Sequence, residues 1–278
     1  LNYPSLDPIA LELGPLSIHW YGLSYLAAFL FFIWYGGRRT GRPNNILTRD
    51  TLSNLVFYGV LGIIIGGRLG YMLFYAHDQL LQDPLSLFQV WKGGMSFHGG
   101  LVGVLLAITW FARRHRINFI LLADSIVPLV PVGLGFGRIG NFINTELPGR
   151  ITEVPWGLHY PCRAVFELDP NDCVNATGYE SILRHPSPLY QFLAEGIVLF
   201  IILYLATRTA RPHGFLSSLF LLSYGLLRCF TEFFRSPDAG IGYLWGTGLT
   251  MGQLLSLPMI LLGAYMLVLS RKGRWQDA

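Results

Sequence analysis

Apolar residues dominate seven stretches of the chain, at 17–36, 52–75, 97–112, 118–138, 188–206, 214–234 and 249–270. A helix needs about 20 predominantly apolar residues to cross the hydrocarbon core, and most of these runs approach that length. The pattern predicts an all-α integral membrane protein of seven transmembrane helices. The third run is the shortest, and the fourth carries Pro128 and Pro131, so a kink is expected there. Neighbouring helices can satisfy the carbonyls that such prolines release.

The connections between the runs set the orientation. Arg38, Arg39, Arg42 and Arg49 follow the first span, Arg113, Arg114 and Arg116 the third, Arg208 and Arg211 the fifth, and Arg271, Lys272 and Arg274 the seventh. The N-terminal segment carries no basic residue, and Lys92 stands alone against Asp78 and Asp83 between the second and third spans. Basic residues accumulate on the cytoplasmic side. The N-terminus is therefore expected outside and the C-terminus in the cytoplasm. The external connection at 139–187 balances Arg150, Arg163 and Arg184 with six acidic residues. It is too long for a plain linker and is expected to form a small head within a single polytopic domain, 1–278.

Composition agrees. Residues are 52% apolar and only 13% charged, against about 25% charged in soluble domains. The net charge of +4 bears on orientation and lipid headgroups rather than on nucleic acid. Residues 1–16 hold Asp7 and Glu12 with no basic n-region, so no cleavable signal peptide is expected.

Polar residues inside the spans define the candidate chemistry. The stretch GRIGNFINTELPG at 137–149 places Arg138, Asn141, Asn144 and Glu146 among Gly137, Gly140 and Gly149. A lone arginine at a helix end can snorkel to headgroups. Four polar residues so close together look like a built site. With alternating orientation, Arg68, Arg138, Arg228, Glu232 and Arg235 fall in the outer half, as do His19, Tyr21, His98 and Glu195. Arg228 and Glu232, four apart, share a helix face and are expected to pair. Arg68, Arg138 and Arg235 then exceed Glu195, so the layer is net positive and suits a bound anion. Guanidinium groups favour bidentate capture of phosphate, and the nearest abundant phosphate is that of an outer-leaflet phospholipid. His98, in SFHGGL, is the base of this layer that titrates near neutrality, although a membrane histidine can equally be a packing residue. Asp124 lies apart, near the cytoplasmic start of the fourth span.

Other signals carry less. Gly62, Gly66 and Gly70, Gly99 and Gly103, and Gly133 and Gly137 are spaced by four, the small-residue pattern that lets helices approach. Gly135, Gly137 and Gly140 match a dinucleotide fingerprint in form, but no βαβ unit surrounds them. No HExxH, CxxC or carboxylate cluster argues for a metal, and no cofactor is expected. Cys162 and Cys173 share one polar loop, where a disulfide or two separate thiols would both fit.

The stretch 137–149 resembles the signature of the bacterial phosphatidylglycerol–prolipoprotein diacylglyceryl transferases. HWYG at 19–22, GGMSFHGGL at 93–101 and YGLLRCFTEFFRSPD at 224–238 also resemble that family, and the likeness covers nearly the whole chain outside about 150–183. Two departures stand where the family often has Gln and Glu in a HPSQLYE run: Pro188 and Gln191. The resemblance implies transfer of a diacylglyceryl group from phosphatidylglycerol to the lipobox cysteine thiol of a prolipoprotein signal peptide, with formation of a thioether and release of glycerol phosphate. It implies an inner-membrane enzyme with its active site toward the periplasmic leaflet and no metal or nucleotide.

The resemblance also implies roles. Arg138 would bind the lipid phosphate, and Arg228 or Arg235 would help to neutralise the leaving group. Glu232 would orient Arg228, and His98 would be the general base. Tyr21, His19, Arg68, Asn141 and Asn144 would position the headgroup or glycerol, Glu146 and Gly149 would shape the mouth, and Tyr224 would belong to the catalytic group. The competing class is a lipid transporter, which would spread its polar residues through the membrane depth and repeat its halves. A phospholipid-binding scaffold without chemistry is a third reading.

Overall fold

The computed structural model describes residues 1–275 except 5, 15, 166–177 and 238–241. Cys173 and its pairing with Cys162 lie outside the described residues. All seven apolar runs are helical. They correspond to α1 (Trp20–Arg38), α2 (Arg49–Phe74), α4 (Phe97–Arg114), α5 with α6 (Phe119–Ile126, Val130–Ile143), α8 with α9 (Ser187–Gln191, Leu199–Ala206), α10 (Phe215–Thr231) and α11 (Met251–Arg271). Short helices α3 (His77–Gln82) and α7 (Cys162–Val165) lie in connections. Among the described residues, four segments, Arg49–Phe74, Phe119–Ile143, Ser187–Ala206 and Met251–Arg271, are long and apolar enough to cross a membrane. The chain is a helical protein built to be embedded in a membrane.

One element is new. Ile9–Leu13 (β1) and Leu16–His19 (β2) form an antiparallel hairpin ahead of α1. The first helix accordingly begins at Trp20, and His19 is a strand residue with an exposed side chain rather than part of a span.

The chain divides into two compact units, 35–125 and 1–34 with 126–275. In the first unit, α2 and α4 pack through the predicted glycines. A Cβ on Gly62 would lie 2.6 Å from the Gly103 carbonyl oxygen, and one on Gly70 would lie 2.8 Å from Cα of Gly99. No side chain fits between these backbones, so the spacing by four serves close helix approach.

In the second unit, the prolines of the fourth run tighten the chain into a 3-10 turn at Val127–Leu129 ahead of α6. The N-terminal residues join the 139–187 connection. Tyr3 N–H donates to the His159 carbonyl at 2.9 Å, and His159 N–H donates to Leu1 at 2.8 Å. Tyr3, Tyr160 and Val165 form a small apolar core beneath Phe142, Leu158 and Tyr179. A buried Arg184–Glu180 ion pair at 2.9 Å fixes the return toward α8.

Candidate active site

The site grows from one close helix contact. Gly135 on α6 meets Gly196 closely enough that a Cβ on Gly196 would lie 2.9 Å from Cα of Gly135. Gly196 sits in a π-helical turn, Phe192–Val198, between α8 and α9. Such turns widen a helix and recur at functional sites. One turn along from Gly135, Arg138 reaches Glu195. Its Nη2 lies 3.0 Å and its Nε 3.3 Å from Oε2 of that carboxylate.

From Glu195 the charges alternate. Arg228 on α10 places Nη1 3.4 Å from Oε1 of Glu195, and its Nη2 pairs with Oε1 of Glu232. Arg235 adds Nη1 to that same oxygen at 3.0 Å. The result is a continuous line, Arg138–Glu195–Arg228–Glu232–Arg235, of three guanidinium groups and two carboxylates. Both carboxylates are fully buried, and the arginine side chains are 18%, 14% and 10% exposed in the order of the line. Arg138 is its most open cation. Ion pairs in low dielectric need further hydrogen bonds on the remaining lone pairs, and these are present. Thr231 Oγ1 donates to Glu195 at 3.1 Å, and Thr250 Oγ1 donates to Glu232 at 2.8 Å. Thr250 is also the N-cap of α11. Gly252 in that first turn leaves room for Glu232, since a Cβ there would lie 2.6 Å from its carboxyl carbon. The positive end of α11 therefore faces a carboxylate, the favourable arrangement.

The signature loop closes over one end of this line. Asn141 and Asn144 donate to the two oxygens of Glu146 at 2.6 and 3.1 Å. Thr145 and Leu147, on either side of Glu146, adopt positive φ of 61° and 57°, a conformation that ordinary residues adopt only under constraint. Gly149 bridges Arg235, and its carbonyl accepts from Ser236 Oγ at 2.8 Å. Its other face is pressed on His185, whose Cβ would lie 2.7 Å from a Cβ on Gly149. Arg150 locks this pairing by donating from Nε to the Arg235 carbonyl at 3.0 Å. Tyr21 packs its ring on Gly140, with its hydroxyl 3.2 Å from that of Tyr25. Tyr224 stacks on Phe220, with ring centroids 5.7 Å apart, one helical turn before Arg228.

The structure therefore gathers Arg138, Tyr224, Arg228, Glu232 and Arg235 around Glu195. It sets Tyr21, Asn141, Asn144, Glu146 and Gly149 on the same unit. Glu195 stands second in the line and bridges Arg138 to Arg228, a place that its reading as a lone counter-charge did not convey. Thr231, Thr250 and Arg150 gave no sequence signal, because threonines and an arginine near helix ends are common.

Arg68 and His98 belong to the unit 35–125. Arg68 is buried and spends its guanidinium on backbone carbonyls of Ser86, Leu87, Gly93 and Gly94. It orders the turn that leads into α4. His98 lies exposed in the first turn of α4, behind the N-cap Ser96, with its ring edge-on to Phe97 at 5.6 Å.

Fold and site together define a membrane-embedded helical protein whose buried arginine–glutamate line opens at one guanidinium. The family model for prolipoprotein diacylglyceryl transferase matches residues 8–269. The phosphatidylglycerol–prolipoprotein diacylglyceryl transferase of Chromohalobacter salexigens is 50% identical over 278 residues, covering 100% of this chain and 97% of that protein. Its counterpart in Aeromonas hydrophila is 51% identical over 270 residues, covering 97% and 92%. The Photorhabdus laumondii protein is 49% identical over 278 residues, covering 98% and 95%. The chain belongs to the prolipoprotein diacylglyceryl transferase family.

Proposed function

We propose that this chain transfers the diacylglyceryl group of phosphatidylglycerol to the lipobox cysteine of prolipoproteins. The observation that carries the reading beyond the relatives is the line of three guanidinium groups over two carboxylates, open at Arg138. A phosphodiester supplies the charge that this line lacks. In the reaction the cysteine sulfur attacks the glycerol carbon bearing the phosphate ester, forming a C–S bond. The C–O bond breaks and its electron pair leaves on glycerol phosphate. The thiol proton passes to a base.

Charge grows on the departing phosphate, and preorganised donors aimed at it lower the barrier. Arg138 holds the phosphate, and Arg228 and Arg235 neutralise the growing charge. Glu195 and Glu232 fix the guanidinium planes. Tyr21, His19, Asn141 and Asn144 serve headgroup positioning, Glu146 and Gly149 shape the mouth, and Tyr224 belongs to the catalytic group, whereas Arg68 is spent on the turn ahead of α4. His98 is the general base, since a free thiol with pKa of about 8.5 must lose its proton to be a good nucleophile.

The seven helical segments span the inner membrane, with the N-terminus and the 139–187 head periplasmic and the C-terminus cytoplasmic. Pairing of Leu1–Tyr3 with His159 supports one side for these two segments, as an even number of crossings between them requires. His213 Nδ1, 3.0 Å from the Trp275 carbonyl, likewise joins the connection after α9 to the C-terminal end. The site then faces the periplasmic leaflet.

The test incubates purified protein with phosphatidylglycerol and a signal-peptide fragment ending shortly after its cysteine. Mass spectrometry follows diacylglyceryl addition on sulfur, with glycerol phosphate release measured in parallel. Product is expected with the native chain, with Arg138→Ala reduced by a factor of about 10²–10³ or more, and none with a serine-substituted peptide. Absence of product from the native chain would defeat the proposal, and His98→Gln with most of its turnover intact would remove the base assignment alone.

A further inference from the structure

The signature loop is also held by a residue more than a hundred positions ahead of it in the chain. Tyr3 is buried, and it is anchored on the 139–187 connection. Its N–H donates to the His159 carbonyl at 2.9 Å, and Tyr179 Oη donates to its own carbonyl at 3.3 Å. Its ring lies 4.6 Å from that of Tyr160 and 4.7 Å from that of Phe142, centroid to centroid. From this position the Tyr3 hydroxyl crosses to the end of α6 and donates to the Phe142 carbonyl.

That carbonyl matters to the loop. Phe142 stands between Asn141 and Asn144, and carbonyls in the last turn of a helix need partners from outside it. The turn that carries Glu146 hangs on two of them: Thr145 N–H donates to Phe142 at 3.1 Å, and Glu146 N–H donates to Asn141 at 2.8 Å. Thr145 and Leu147 hold positive φ on either side of Glu146, a backbone that persists only where its surroundings over-determine it. Tyr3 supplies such a constraint twice, by its ring on Phe142 and by its hydroxyl on the Phe142 carbonyl. Burial, then Tyr160 and then Glu146 push the Tyr3 phenol pKa far up, so the hydroxyl keeps its proton and stays a donor.

On the transferase reading above, we propose that Tyr3 is a positioning residue of the reaction. It touches no substrate. It holds the turn after α6 so that Asn141, Asn144 and Glu146 keep the geometry that receives the phosphatidylglycerol headgroup.

The experiment uses the full chain in phosphatidylcholine nanodiscs holding a varied fraction of phosphatidylglycerol, in wild type, Tyr3→Phe and Tyr179→Phe. Tyr3→Phe keeps the packed ring and removes only the hydroxyl. The Phe142 carbonyl retains Thr145 N–H in that variant, so the fold is kept. Tyr179→Phe removes a hydroxyl that bonds Tyr3 rather than Phe142. Transfer to the signal-peptide fragment gives kcat and the KM for phosphatidylglycerol, and hydrogen–deuterium exchange reads the amides of Thr145 and Glu146. Tyr3→Phe is expected to raise KM and to speed exchange at these amides by about tenfold each, with kcat within about twofold of wild type. Tyr179→Phe is expected to stay within about twofold of wild type in all three. A merely structural role would lower the unfolding midpoint and, through the active fraction, kcat, and would leave KM unmoved. A wild-type KM in Tyr3→Phe would overturn the proposal, whether or not exchange is faster. Absence of transfer by wild type would overturn the transferase reading and this role with it, whereas transfer by wild type matched by Tyr3→Phe would overturn this role alone.

Discussion

Arg228 and Arg235 converge on a single atom, Oε1 of Glu232, which accepts from Nη2 of the first and Nη1 of the second. Two cations held against one oxygen are stable only while that oxygen is anionic. Its companion Oε2 accepts from Thr250, so both oxygens are engaged and the carboxylate also ties α10 to the N-terminus of α11.

Glu232→Gln should therefore harm both folding and turnover. The amide keeps the shape but removes the charge between two buried guanidinium groups. Breaking a buried pair by deleting one partner costs about 3–5 kcal/mol. Thermal unfolding of the solubilised full chain should show a clear fall in midpoint, with diacylglyceryl transfer close to background. A variant as stable as wild type would mean that water or a bound anion replaces the carboxylate.

Arg138→Ala should separate the two effects. Glu195 keeps Arg228 and Thr231 when Arg138 is removed, and Arg138 is the most exposed arginine of the line. Stability should change by no more than about 1–2 kcal/mol. Transfer should fall by a factor of about 10²–10³ or more, the usual cost of one preorganised donor at a developing charge. Arg138→Lys, with one point charge in place of a fork, should recover only part of it. A large loss of stability in Arg138→Ala would recast the residue as structural.

Much of this arrangement is legible in the sequence because apolar runs and intramembrane charges are costly features that stand out. The Arg228–Glu232 pair follows from helical spacing alone. The position of Glu195 does not, because a π-turn and the Gly135–Gly196 approach decide which arginine it meets. Arg68 illustrates the reverse. An arginine within an apolar run signals function, yet this one satisfies four backbone carbonyls in a turn that no spacing rule reveals. The N-terminal hairpin escapes notice because its strands of five and four residues flank a turn at Gly14 and adjoin a much stronger helical run.

Gly149→Ala tests the mouth. The glycine lies between the Arg235 strand segment and His185, and an added methyl carbon would meet the His185 carbonyl carbon at 2.8 Å. Backbone atoms on that side cannot rotate away, so the 148–150 segment must shift. Overpacking of this kind costs about 1–3 kcal/mol. Because Arg150 and Ser236 bind Arg235 and Gly149 through backbone groups, the shift carries Arg235 with it. Turnover should fall more than stability. Gly157→Ala is the control, since it sits in the same head and would meet Leu183 and Thr152 side chains at 3.0 and 3.2 Å. Equal turnover in both variants would detach Gly149 from the site.

His185 gives the fold a pH dependence. Its Nδ1 lies 3.1 Å from the Tyr190 hydroxyl, which accepts Trp156 Nε1–H at 2.6 Å, and its ring meets Phe234 edge-on. Burial disfavours the imidazolium and holds its pKa below the usual value, which is about 6.5 for a free histidine. Above that pH both folded and unfolded chains carry neutral imidazole, and the contribution of the packed ring is present in full. As pH falls, the unfolded chain takes up the proton first, so stability drains away until the folded pKa is passed. His185→Phe keeps a ring of similar size and cannot titrate. The unfolding midpoint of wild type relative to His185→Phe should be highest above pH 7 and should decline below about pH 6.5. A difference that stays constant from pH 8 to the acid side of the folded pKa would show that the ring titrates alike in both states.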